Sequence, residues 1–266
     1  MNTDAVAGTM QPRASAGDEN NVADQSVQCF VPPAFNHLAP VLANWLAHAA
    51  RSSEHVEIEG RVGTYGERKF DASVDEQWFN DKLAYFMAPG ARWDRTEEET
   101  TTAYLFDNGV RGVKRADETA EFVRKVRKAH FDLALDGCAY SVRLAHSFEL
   151  PMAAPCASAI WVRLRRRKSF YYKQFRYDFT WILEGPTLQA AKQADMKHEM
   201  EIEFVGDRML AGDNGEHAHY LAMSLLFKMH DLVTPNGTDV TLDGARKINV
   251  LKMKFSQAPK AKVGLQ

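Results

Sequence analysis

Two periods run through this chain. Apolar residues recur every three or four positions in a few stretches, and alternate with charged residues in many others. Leu38, Val41, Leu42, Trp45, Leu46 and Ala49 fall at helical spacing and predict one apolar stripe. Ser73 with Glu76 three residues on is a capping-box pattern, and Phe79, Leu83, Phe86 and Met87 continue a helical face behind it. Ala218, Leu221, Leu225, Met229 and Leu232 predict a third helix over about 215–232.

Elsewhere the period is two. Val56, Ile58 and Val62 alternate with Glu57, Glu59 and Arg61; Val162 and Leu164 with Arg163, Arg165 and Arg167. Tyr177, Phe179 and Trp181 alternate with Arg176, Asp178 and Thr180; Met200, Ile202 and Phe204 with Glu199, Glu201 and Glu203. Leu251, Met253 and Phe255 alternate with Val250, Lys252 and Lys254. Side chains two apart on a strand share a face, so the pattern predicts a mainly antiparallel β protein with flanking helices. Residues 1–26, rich in Ala, Gly, Ser, Asp and Asn, and residues 258–266 read as disordered tails. With no long linker and no internal repeat between them, 27–257 reads as one domain.

Composition narrows the class without naming it. The 266 residues are 45% hydrophobic and 26% charged, which excludes a collagen, a coiled coil and a histone-like polycation. Lys+Arg 33 against Asp+Glu 35 leaves a net charge of −2, so total charge is silent about partners. No apolar run is long enough for a transmembrane helix and the N-terminus lacks a secretory layout, so no membrane association is expected. Cys29, Cys138 and Cys156 lack metal-site spacing and predict a reducing compartment.

The placement of charge is more informative. A solvated sheet face normally mixes its polar residues, because like charges at neighbouring same-face positions repel. Here one strand collects three glutamates and another three arginines. Arginine at every same-face position of one strand suits bidentate recognition of phosphate. Acidic and basic strands facing each other across a closed sheet would hold a divalent cation and an anion in one enclosed space. The run Arg165-Arg166-Arg167-Lys168 also has a rival reading as a nuclear-localisation or nucleic-acid patch. Its flanks, Ile160-Trp161-Val162 and Phe170-Tyr171-Tyr172, favour a strand.

Four segments, in order, resemble the RNA 5′-triphosphatases of fungal and protozoal mRNA capping, within the triphosphate tunnel metalloenzymes. They are His55-Val-Glu57-Ile-Glu59-Gly-Arg61, Arg163-Leu-Arg165-Arg-Arg167-Lys-Ser169-Phe170, Arg176-Tyr-Asp178-Phe-Thr180 and Glu199-Met-Glu201-Ile-Glu203. The resemblance covers most of residues 55–205. Two weaker matches lie between: Val110-Arg111-Gly112-Val113, and Arg143-Leu-Ala-His-Ser-Phe-Glu149-Leu-Pro. Arg165 stands where the family usually has lysine, and Ala145 where a serine is common. A further basic position after Arg111 falls on Arg127 or Lys128.

The resemblance implies an eight-stranded antiparallel β-barrel, a tunnel that admits the 5′-triphosphate end of nascent pre-mRNA and removes its γ-phosphate. It implies Mg²⁺ or Mn²⁺ on Glu57, Glu59 and Glu203, hard oxygen ligands. Arg111, Arg165 and Arg167 would grip the γ-phosphate, and Glu149 would orient the attacking water. Arg61, Arg127, Lys128, Arg143, Arg163, Arg176, Asp178, Thr180, Glu199 and Glu201 would bind phosphate or aim the first layer. It further implies hydrolysis of free nucleoside triphosphates with manganese, a nuclear location, a monomer or homodimer, and a separate guanylyltransferase, since no Lys-x-Asp-Gly motif occurs in these residues. Two alternatives stay open: a tunnel hydrolase of inorganic or thiamine triphosphate, and an inactive end-binding scaffold.

Overall fold

The computed structural model describes residues 33–51, 55–66, 69–91, 93–115, 119–134, 138–206, 216–236 and 256–257. Helix α1 (Pro33–Arg51) leads into β1 (His55–Tyr65), and the short pieces β2 (Phe70–Asp71) and β3 (Ser73–Val74) precede α2 (Glu76–Phe86). Four strands follow: β4 (Arg95–Leu105), β5 (Val110–Arg115), β6 (Glu121–Leu133) and β7 (Ser141–Pro151). Next come β8 (Trp161–Tyr172), β9 (Phe175–Gly185), the short helix α3 (Leu188–Lys192), β10 (Lys197–Phe204), α4 (Glu216–Val233) and β11 (Ser256–Gln257).

The neighbours run β1-β7-β6-β5-β4-β8-β9-β10, every pair antiparallel. β10 then pairs with β1 through Glu59↔Glu203, Gly60↔Ile202 and Arg61↔Glu201. That last ladder closes eight strands into a barrel, so alternate residues of every strand face an enclosed lumen.

The apolar core lies outside the barrel, between its outer face and the helices. Leu38, Leu42 and Leu46 of α1 and Leu221, Leu225, Leu226 and Met229 of α4 are buried with Ile58, Val62, Val142, Leu144 and Ile202 of the wall. Each such side chain contributes roughly 1.5–3 kcal/mol by leaving water. Trp45 stacks on Phe131 with ring centroids 4.7 Å apart. Phe86 of α2 sits among Trp93, Phe170, Tyr177 and Phe179. A Cβ on Gly60 would lie 2.4 Å from the Met229 sulfur, so this glycine lets α4 lie close on β1.

The predicted start of α2 moves by two residues. Asp75 is the cap, its carboxylate accepting from the Trp78 N–H at 2.8 Å. Ser73 is already committed to the sheet opposite Glu199, and a carboxylate at Asp75 complements the positive helix end better than a hydroxyl two residues earlier. Met87 closes α2 as its C-cap rather than adding to its buried face. The predicted strand at Leu251–Phe255, both proposed tails and Cys29 lie outside the described residues.

Candidate active site

The lumen is a cavity of about 940 Å³ whose walls are charged. Its lining includes Glu57, Glu59 and Arg61 of β1, Arg111 of β5, Glu149 of β7 and Arg163, Arg165 and Arg167 of β8. It also includes Lys125 of β6, Glu97 of β4, Tyr171 of β8, Arg176 and Thr180 of β9, and Glu199, Glu201 and Glu203 of β10. These positions alternate along each strand, and the intervening apolar residues are the ones the helices cover.

Nearly every lumen charge has a partner, as the cost of desolvating an ion demands. Arg61 lies 3.1 Å from Glu59 and 3.2 Å from Glu201. Arg167 lies 3.2 Å from Asp178 and 3.3 Å from Glu201, and Arg176 pairs with Asp178 and Glu203. Ser169 donates to Asp178 at 2.6 Å. Arg163 bridges Glu199 at 2.7 Å and Glu184 at 2.9 Å. Burial alone would raise the Glu201 carboxyl, but Arg61, Arg167, Lys125 and Arg176 outweigh it and hold it well below the usual carboxylate range.

Two groups are poorly compensated, with opposite sign. Burial pushes Glu203 up to about 8, and Glu57, Asp178 and Glu201 add to the push against the pull of Arg176. Arg165 is driven down to about 10, first by burial and then by Arg167, Arg111 and Arg163. Its guanidinium reaches the Thr101 hydroxyl at 3.2 Å and has no carboxylate within ion-pair distance among the described residues. A poorly compensated carboxyl on β10 and a poorly compensated guanidinium on β8 thus share one lumen.

Glu57, Glu59 and Glu203 offer hard oxygen donors of the kind Mg²⁺ and Mn²⁺ take. Besides Arg61 on Glu59 and Arg176 on Glu203, Lys125 lies among them: its ammonium is 2.5 Å from Glu57 Oε2 and 3.0 Å from Glu59 Oε1. Burial opposes the Lys125 charge, but Glu59 and Glu57 prevail and its pKa ends above the ordinary value. Among the described residues no three acidic or histidine side chains already enclose a metal position. The donor chemistry fits a divalent ion, with Lys125 standing where positive charge is wanted.

Not every expected residue faces the lumen. Arg143 is held two-pronged by Asp132 at 2.6 and 2.8 Å, with the Phe70 ring 4.7 Å from its guanidinium, outside the cavity lining. Of the basic pair on β6, Lys128 leaves the lumen and lies 4.6 Å over the Phe148 ring. Arg127 sits near Arg143, Arg61, Glu59 and Asp132; burial, then Arg143 and Arg61, lower its pKa. A register shift between Arg127 and Ala129 separates the two. The basic lumen residue of this strand is Lys125, directly opposite Glu149 in register. Sequence reasoning missed it, along with Asp132, Glu184 and Thr101; counting back two from Arg127 would have reached Lys125. Glu149 faces the cavity, its Oε1 accepting from Arg111 at 2.6 Å.

Residues 110–219 match the family model described as mRNA capping enzyme, beta chain. By sequence alone the chain has no match among curated proteins. By structure it is similar to the S. pombe Pct1 RNA triphosphatase, at 20% identity and a TM-score of 0.61, covering 74% of this chain and 92% of that one. The same S. pombe enzyme in complex with the Spt5 CTD gives 19% and 0.59 over 74% and 92%. The Mimivirus capping enzyme triphosphatase gives 13% and 0.52 over 75% and 97%. Residues 110–219 are thus similar to the mRNA capping enzyme beta-chain family, and the chain takes a fold like that of these triphosphatases.

Proposed function

We propose that the chain hydrolyses the γ-phosphate from the 5′-triphosphate end of RNA, leaving a 5′-diphosphate end and inorganic phosphate, the first step of mRNA capping. The observation that carries this reading is the Arg165 guanidinium, held by Thr101 with no carboxylate at ion-pair distance among the described residues, in the same lumen as Glu57, Glu59 and Glu203. A triphosphate supplies the anion that Arg165 lacks. When bound, Mg²⁺ or Mn²⁺ on the three glutamates would draw charge from a γ-phosphate oxygen.

The residues divide the work. Arg165, Arg167 and Arg111 bind and orient the terminal phosphate, where charge resides in the transition state. Glu149 Oε1 is taken by Arg111, so Oε2 is the oxygen left to hold the attacking water and receive its proton. Arg61, Arg163, Arg176, Asp178, Glu199 and Glu201 lock one another and thereby aim the arginines. Free nucleoside triphosphates enter the same lumen. The reading includes a separate guanylyltransferase to act on the diphosphate end, a nuclear location and a monomer or homodimer.

The test is release of labelled γ-phosphate from a triphosphate-ended RNA with Mg²⁺ or Mn²⁺, and its loss in EDTA. Release from tripolyphosphate but not from RNA would reassign the tunnel to small triphosphates. No release from either would leave only an end-binding module.

A further inference from the structure

The lumen reaches the barrel end where β4 begins and β8 finishes, and there a ring, Tyr171, joins Glu97 in its lining. Tyr171 follows Arg163, Arg165, Arg167 and Ser169 on the same inward face of β8. Directly opposite it in register stands Arg95, the first residue of β4, with its guanidinium 3.8 Å from the Tyr171 ring centroid. Glu97 braces both, accepting from the Tyr171 hydroxyl at 2.7 Å and lying 3.3 Å from Arg95. The result is a pair held in place at the rim, with the Arg95 side chain 60% exposed. Nothing in phosphate chemistry calls for it.

We propose that the Arg95–Tyr171 pair is a seat for the base of the substrate's first nucleotide. The ligand class is a nucleobase joined to a 5′-triphosphate, and this inference rests on the tunnel binding triphosphates as proposed above. Four residues of strand separate Arg167 from Tyr171, roughly 13 Å of rise, a separation suited to a triphosphate and ribose between the arginines and the rim. Aromatic rings and guanidinium planes both stack bases without reading sequence. That tolerance is what an enzyme acting on any transcript end needs. Glu97, whose charge would repel a polyanion, is paired with Arg95 and accepts a hydrogen bond from the tyrosine hydroxyl. Tyr171 would thus set specificity for nucleotides over inorganic polyphosphate, with no part in hydrolysis.

Binding of non-hydrolysable ligands tests the seat apart from turnover. The probes are diimidotriphosphate, the β,γ-imido triphosphate of 2-aminopurine riboside, and short RNAs ending in that triphosphate with 2-aminopurine first or second. The wild type should bind the nucleoside ligand about tenfold more tightly than diimidotriphosphate, and quench 2-aminopurine at the first position but not the second. Tyr171→Ala and Arg95→Gln should each weaken the nucleoside and RNA ligands several-fold and leave diimidotriphosphate unchanged; Tyr171→Phe should keep the base gain. If Tyr171→Ala unfolds, Tyr171→Leu carries the same expectation with the volume retained. Equal affinity of the wild type for ligands with and without a base overturns the seat alone. So does an equal loss on diimidotriphosphate in the variants, or quenching confined to the second base. Failure of the wild type to bind any of the probes removes the tunnel reading itself, and the seat with it.

Discussion

Arg166 and Arg167 are adjacent in sequence and live in different worlds. Arg167 points into the lumen between Asp178 and Glu201, buried and fully paired. Arg166 points outward, its side chain 61% exposed, held by Glu98 over the Trp181 ring. The same division runs along β7, where Glu149 faces the lumen while Val142, Leu144 and His146 lie on the outer, helix-covered face. An ordinary small barrel fills its interior with apolar side chains. Here burial is moved to the outer face, and the interior is left for charge. Stability and chemistry are thus carried by opposite faces of one wall, so each can be damaged while the other survives.

The largest effect should come from the inner face. Glu59→Ala should lower γ-phosphate release by a factor on the order of 10³ or more, because it removes one of the carboxylates proposed for the divalent ion. Glu149→Gln should follow with a loss of roughly 10²-fold or more, acting on proton transfer and water position. Binding of a non-hydrolysable triphosphate should survive in the second variant and weaken in the first. Steady-state rates beside equilibrium dialysis would show the split. Unfolding of either variant would mean the two faces are not separable.

An outer-face change should do the reverse. Leu225 of α4 is fully buried against the wall, and Leu225→Ala should cost about 2–5 kcal/mol of stability by opening a cavity. Urea titration measures that loss. The folded fraction should turn over substrate at the wild-type rate at low temperature.

The strand-by-strand contrast is sharper still at Arg167 and Arg166. Arg167→Lys keeps the charge but loses the planar fork that spans Asp178 and Glu201, and should reduce turnover about 10–100-fold. Arg166→Ala removes an exposed pair with Glu98, and such pairs are worth little. It should leave both rate and melting temperature nearly unchanged. The reverse ranking would flip every inward assignment on β8, since a one-residue slip exchanges the two faces.

The alternation that made this wall legible was local. Glu57, Arg165, Asp178 and Glu201 could be placed on one face because each strand repeats its charge every second residue, and sheet closure then brings those faces together. What the sequence hid was whatever broke that repeat or depended on tertiary pairing. Lys128 falls behind a register shift and turns outward, which misdirected the reading of β6. Arg143 keeps the inward parity, but Asp132 eleven residues earlier captures it, and only the β6–β7 ladder brings the two together. Ser73 has the chemistry of a helix cap, yet its backbone is claimed by β10. Strand β4, with its Thr-Glu-Glu-Glu-Thr run, shows no apolar period and was invisible, although it supplies Thr101 to Arg165 and Arg95 to the rim.

The last contrast concerns His146, which shares the apolar outer layer with the buried Lys82, His198 and His230. His146 lies on the outer side of β7 under Trp45, with ring centroids 5.4 Å apart, and its edge meets His48 and Phe148. Burial, then His48 and Lys128, hold it at about 4, below its ordinary 6.5. A depressed histidine pKa means the fold favours the neutral ring. Above pH 6.5 neither state binds the proton and the preference has no consequence. Between about 6.5 and 4 the unfolded chain takes up a proton that the folded chain refuses, so stability falls as pH falls. The loss should amount to about 1–3 kcal/mol across that window, and His146→Phe, which keeps an aromatic ring under Trp45, should flatten it. Melting temperature measured from pH 8 to pH 4 in wild type and variant reads the difference directly. Parallel curves would remove His146 as the source and leave the acid sensitivity to the other buried histidines, His198 and His230, which burial also lowers, or to the lumen carboxylates.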